Sequence, residues 1–195
     1  MATAVPAQSP RRDELLERAY RWVLDHGLAD MSLRPIAAAV GSSPRVLLFL
    51  FGSKDNLVRA LLARARADEL ALLARLREDA LTSAGEGDGL AEMAGAVWGW
   101  LTADEHRGLL RVWVESYAKS LTEPDGPWAG FGRSTVDDWL SLLAEAQPPS
   151  RRHTPAAETQ RTLVLAVLRG ALLDLLATGE IMRPSRAVQS FLRTL

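Results

Sequence analysis

SLRPIAAAVGSSPRVLLFLFGSK, residues 32–54, decides how this chain folds. Two short apolar segments flank a turn that carries Gly41. Ser32 suits the N-cap of the first segment, with Pro35 still inside its first turn. Ser43 suits the N-cap of the second, with Pro44 at the first helical position. Ile36 and Val40 are four apart and share a face, against which Leu47 and Leu50 can pack. Ala37 is small where the two helices must approach, and Gly41 frees the backbone for a left-handed turn. The spacing fits a helix-turn-helix. It equally fits an ordinary helical hairpin inside a bundle.

Helical periodicity continues on both sides. Upstream, a helix is expected from Arg11 to His26, its stripe formed by Leu15, Leu16, Ala19, Tyr20, Val23 and Leu24, with Gly27 as the stop. Downstream, Ser53 caps a long helix that runs to about Ala80. A loop over 83–89 leads to helices expected at Leu90–Thr102, Glu105–Leu121, Trp128–Gln147 and Ala156–Thr178, then a short last one after Pro184. Strand signals are scarce, so the fold class is all-α.

The chain has 195 residues, 48% hydrophobic and 24% charged, which is a globular composition. It has no cysteine, which excludes disulfides and thiolate metal sites and suits the reducing cytoplasm. No apolar run reaches membrane-spanning length. The first ten residues lack the pattern of a secretory signal and are expected to be a disordered tail. Residues 1–60 hold 8 Lys+Arg and 6 Asp+Glu, a balance of +2; residues 61–195 hold 15 and 18, a balance of −3. That mild asymmetry suggests two jobs in one chain.

An amphipathic helix ending in HG, then MSLRPIAAAVG, a Ser-Ser-Pro-Arg turn, an aromatic before FGSK and a helix opening KDNL: this order resembles the TetR family of bacterial transcriptional regulators. The motif match covers residues 12–60. The resemblance implies a disordered tail over 1–10, a three-helix DNA-binding domain over 11–53 and a helical ligand-binding and dimerisation domain over 54–195. The implied partners are a double-stranded operator, a small apolar or aromatic effector and a second copy of the chain, with no membrane. Arg45, in the first turn of the third helix, is the candidate base reader, because recognition helices use their N-terminal residues and Arg pairs with guanine. Ser32, Leu33, Ser53 and Lys54 sit at helix N-termini that attract phosphate. Arg34, Ser42 and Ser43 are candidate phosphate or sugar contacts, with Arg11 and Arg12 reaching in from an N-terminal arm. The family usually carries Tyr or His just before the FGSK-like segment; here Phe49 and Leu50 stand there and cannot donate to phosphate. Leu47 and Phe51 are expected in the core, while Leu48 and Phe49 either touch thymine methyls and sugars or simply pack.

Five of the six tryptophans fall after residue 97. Rings supply the apolar walls that a small-molecule pocket needs. The candidate lining is Trp98, Trp113, Tyr117, Trp139 and Leu168, with Glu115 or Asp174 as a polar anchor. Each ring has the alternative of being ordinary core. The segment Leu163–Leu176 is apolar on nearly all sides, so it is buried all round or covered by a partner. Leu140, Leu143, Leu163, Ala166, Val167, Gly170 and Ala171 are the dimer-face candidates. No enzyme motif is present, and the three histidines stand apart, so neither catalytic residues, a cofactor nor a metal is expected. A ligand-responsive repressor is the leading reading. The alternative is a helical interaction module, or a partner-controlled regulator that has lost operator binding.

Overall fold

A computed structural model describes residues 9–28, 31–83 and 89–195, the side chains of 79–83 excepted. The expected tail, up to residue 8, and the loop over 84–88 lie outside the described residues. Among the described residues the elements are α-helices α1–α9 and one 3-10 turn, with no strand. No single helix among them is long and apolar enough to cross a membrane.

Several helices begin where local chemistry says they should. α1 (Pro10–His26) starts with Pro at its first position, and the Ser9 side chain accepts from the Arg12 N–H. α2 (Leu33–Ala39) follows Ser32, whose backbone is extended but whose hydroxyl makes no cap bond. α3 (Pro44–Phe51) is capped by Ser43, which accepts from the Val46 N–H. α4 (Lys54–Ser83) is 30 residues long, about 45 Å at 1.5 Å per residue. α5 (Leu90–Thr102) falls where expected. The 3-10 turn Asp104–His106 takes the place of the expected start of α6 (Arg107–Thr122). α7 (Phe131–Glu145) begins three residues later than the periodicity suggests, because residues 127–130 form turns that end on Gly130 at φ +76. α8 (Pro155–Thr178) and α9 (Met182–Leu192) complete the chain.

The chain divides into two compact units that interleave along the sequence. The first holds the described residues up to 68 and those of 108–132; the second holds the described residues of 69–107 and 133–195. The first unit is built on one core. Leu15, Ala19 and Val23 of α1 meet Ile36 of α2 and Leu47 of α3, all at most 1% exposed. Val112 from α6, with Trp128 and Phe131, belongs to the same core. α6 clasps the C-terminal end of α1 by polar contacts. The Glu115 carboxylate accepts from the Leu28 N–H at 2.6 Å. The Arg111 guanidinium donates to the Asp25 carbonyl at 3.2 Å. Across from α4, the Tyr20 hydroxyl donates to Asp68 at 2.8 Å, and Arg64 lies over the Tyr20 ring while pairing with Glu17 and Asp68. Burial, followed by the Asp68 carboxylate, pushes the Tyr20 phenol well above its usual range.

In the second unit α5, α8 and α9 pack on one another. Val97, Leu142, Leu168, Leu172 and Leu175 are buried there. Part of its polar interior is bonded: Trp98 Nε1 donates to Ser185 Oγ at 3.0 Å, and the Gln147 amide donates to the Ala157 carbonyl at 3.0 Å. A buried carboxylate, Glu69, accepts from Trp139 Nε1 at 2.7 Å.

Candidate nucleic-acid interface

α2 and α3 are bent 99° apart across the turn, within the range of a DNA-reading helix-turn-helix. Gly41, at φ +66, makes the turn, and the Ser42 N–H bonds back to the Ala37 carbonyl at 2.8 Å. α1 braces this turn: Arg18 reaches the Val40 carbonyl at 3.4 Å. The pair of short helices is thereby held at a fixed angle, with α3 presenting one face outward.

That outward face is informative. Leu47 and Phe51 are buried, as their spacing predicts, and Leu50 is half-buried against the same core. Arg45 is exposed at the start of the helix. Phe49 is 83% exposed, the most open large apolar side chain among the described residues. Val46 and Leu48 are 39% and 41% exposed beside it. Of the two alternatives for Phe49, packing into the core does not occur. Val46 was not singled out by its type; its position three residues before Phe49 is the signal that places it on the same face.

Along residues 31–54 the charge has one sign. Residues 31–54 contain Arg34, Arg45 and Lys54 and no acidic residue. All three cations are exposed, and neither Arg34 nor Arg45 is held in an ion pair among the described residues. Lys54 contributes, after Lys119, to holding the exposed Glu123 carboxyl below its usual range. Ser43 and Ser53 spend their side chains on capping, accepting from Val46 at 3.3 Å and Asn56 at 3.1 Å. Ser32 is exposed with its hydroxyl uncommitted to a cap, Leu33 is half-buried, and Ser42 is half-buried in the turn. Arg11 and Arg12 are not on a separate arm: both lie in the first turn of α1, Arg11 paired with Glu14 at 2.7 Å and Arg12 stacked over Phe51 at 4.8 Å.

The candidate effector residues divide between the units. Trp113 and Tyr117 belong to the first, stacked with centroids 5.4 Å apart against its core. Trp98, Trp139 and Leu168 belong to the second and are buried. Asp174 is exposed and paired with Arg183 at 2.7 Å, and Glu115 is committed to Leu28. Glu69, absent from the candidate lining, is the buried carboxylate in the second unit. Nothing local marks it, since Glu on a long helix is ordinarily solvated. Of the dimer-face candidates, Leu143 is fully buried within its own unit and has no surface to offer a partner. Leu163, Ala166 and Gly170 are exposed along α8, with Leu140, Val167 and Ala171 half-buried. His26 and His106 are occupied structurally, each stacked on a tryptophan and donating Nδ1–H to a backbone carbonyl at 2.8 and 2.9 Å. Among the described residues no group of acidic or His side chains is arranged to hold a metal ion.

Comparison with known proteins agrees with this geometry. The profile of a family described as bacterial regulatory proteins, tetR family, matches residues 15–61, the stretch from α1 into α4. An HTH-type transcriptional regulator of Mycobacterium bovis is 33% identical over 134 residues, 67% of this chain and 55% of the relative. The HTH-type regulator BetI of Stenotrophomonas maltophilia is 28% identical over 116 residues, 59% of this chain and 57% of the relative. The chain thus spans about half the length of the curated relatives it matches. Among solved structures, the multidrug binding protein EbrR in complex with imidazole superposes with a TM-score of 0.68 at 25% identity, covering 96% of this chain and 95% of that one. A TetR transcription regulator from Haloarcula marismortui, at 18% identity and a TM-score of 0.66 over 94% of this chain and 95% of that one, shares the fold.

Proposed function

Because this chain belongs to the TetR family of bacterial regulatory proteins, we propose that it is a transcriptional regulator that binds a double-stranded operator as a homodimer and acts as a repressor. The carrying observation is α3: an N-capped helix set at 99° to α2, exposed along one face, within a segment, residues 31–54, that carries three cations and no acid. Arg45 reads a base edge. Arg34, Lys54 and the exposed helix start at Ser32 and Leu33 hold phosphates, with Ser42, Ser43 and Ser53 shaping the approach. Two copies must present their α3 helices about one helical turn of DNA apart, ~34 Å, or a multiple of it. The exposed α8 row of Leu163, Ala166 and Gly170 is the surface on which a second copy would pack.

Release follows from population shift. An effector that prefers a protomer arrangement with the wrong spacing needs a preference of only a few kcal/mol to empty the operator. What supports an apolar or aromatic effector is the buried apolar content of the second unit, Trp98, Trp139 and Leu168, with the buried Glu69 side chain bonded to Trp139. EbrR, similar in fold, is described as a multidrug binding protein complexed with imidazole, proflavin and ethidium.

The test is binding of labelled duplex DNA at several salt concentrations. Affinity is expected to fall steeply with salt. Arg45→Ala should cost about 1–3 kcal/mol on the selected operator and relax preference at one step. Lys54→Ala should weaken all sequences alike and lower the salt slope by about one. Absence of salt-dependent retention would overturn the regulator reading in favour of a helical interaction module.

A further inference from the structure

We propose that Phe49 is a specificity-determining residue, whose ring reads the 5-methyl groups of thymines in the major groove beside a guanine taken by Arg45. The inference rests on the reading that α3 enters duplex DNA, and names what α3 selects there.

An eight-residue helix has few positions to spend, and α3 has spent the inward ones. Leu47, Leu50 and Phe51 complete the core of the unit. At 100° per residue, Arg45, Val46, Leu48 and Phe49 occupy an outward arc of about 160°, with Phe49 near its middle. Of these four only Arg45 can hydrogen-bond a base. The centre of the reading face is therefore a ring in water, 83% exposed, flanked by Val46 and Leu48. A large apolar side chain left there gains nothing from the protein's own folding.

The charge says what covers it. An apolar face awaiting a protein needs no bias of sign, whereas residues 31–54 carry three cations and no acid. That complements a phosphate backbone running along both sides of a groove. Within the major groove the one apolar feature of a base pair is the thymine methyl. Arg45 and Phe49 are four residues apart, about 6 Å along the helix axis, which is roughly two base steps at 3.4 Å each. The selected half-site should thus hold a guanine and one or two thymines within two steps of it. Polar readers in place of Phe49 and Leu48 would accept other bases there; these apolar ones penalise any base that presents an amino group, since its hydrogen bonds to water would be lost.

The experiment isolates the methyl group. A half-site selected from random duplex DNA is resynthesised with each thymine replaced singly by deoxyuridine, which pairs identically and lacks only the methyl. The wild-type protein should lose about fourfold in affinity for each methyl that Phe49 covers. Phe49→Ala should lose the same factor on the thymine duplex and be indifferent to the replacement. Arg45→Ala should bind less well and keep the sensitivity. Equal wild-type binding to thymine and deoxyuridine duplexes at every position would overturn the proposal, as would Phe49→Ala retaining the discrimination. A change of oligomeric state in Phe49→Ala with no methyl effect would overturn it too, assigning the ring to a protein contact. Salt-dependent binding to unselected duplex, measured on the same samples, separates these failures from failure of the regulator reading itself. Phe49 lies outside the core, so the substitution leaves the fold in place.

Discussion

Gly108 in α6 and Gly170 in α8 are both mid-chain helical glycines with opposite surroundings. A Cβ built on Gly108 would stand 2.5 Å from the Leu24 carbonyl oxygen, so α6 lies on α1 as closely as backbones can. A Cβ built on Gly170 would meet nothing within 4 Å. Glycine costs about 1 kcal/mol against alanine in a helix interior. Gly108, the second residue of α6, owes its place instead to that internal seam, completed by the Glu115 bond to Leu28. Gly170 stands in the interior of α8, and nothing among the described residues recovers that cost. The same residue type thus marks a finished contact in the first unit and an open face, flanked by exposed Leu163, Ala166 and Leu173, in the second. The open face is what a second copy would close.

Charge on the open face tests this most severely. Gly170→Asp or Ala166→Asp should cost assembly about 3–5 kcal/mol by burying an unpaired carboxylate, while leaving the protomer folded. Sedimentation of the wild type as a dimer at micromolar concentration and of the variants as monomers is the expected result. Unchanged assembly would make the Leu163, Ala166 and Gly170 face of α8 an ordinary solvated one.

Alanine at the two glycines sharpens the contrast. Gly108→Ala should destabilise the protein by about 1–3 kcal/mol through overpacking against fixed backbone. Gly170→Ala should leave denaturant unfolding of the protomer unchanged or raise its stability by up to about 1 kcal/mol, yet weaken association. Equal losses in both variants would abolish the distinction.

The smallest effect lies at the other seam of α1. Tyr20→Phe removes the bond to Asp68 and should cost about 1 kcal/mol at neutral pH. The folded state raises the phenol pKa, so this stabilisation is fully present below the unfolded value of about 10 and is lost as pH rises above it. Unfolding midpoints measured upward from pH 9 should fall more steeply for the wild type than for Tyr20→Phe. Parallel curves would show that the hydroxyl is not held in the native state.

Most helix limits were legible because their signals are local. Ser43-Pro44 starts a helix, and Gly52 and Gly179 stop two, through hydrogen bonds made within a few residues. The limits that moved, before α6, α7 and α9, depend on turns with weaker local signatures; α9 begins at Met182, two residues ahead of Pro184. Arg45 was legible as an outward residue from its place in the first turn of α3. Phe49 was not, since an apolar side chain within an apolar run has no feature that separates core from surface.

The sequence by itself determined an all-α fold class, the two short helices about Gly41 and their cationic character, because period, caps and charge are properties of neighbouring residues; the choice of helix-turn-helix over helical hairpin came from the family resemblance. Tertiary structure alone decided that residues 108–132 join the unit of α1–α3, that Leu143 is interior, that Glu69 is buried on Trp139, and that Phe49 stands in water. Each of those outcomes is a competition among residues far apart in the chain for a limited interior volume. Close packing admits some apolar side chains and leaves others outside, and no local pattern records which.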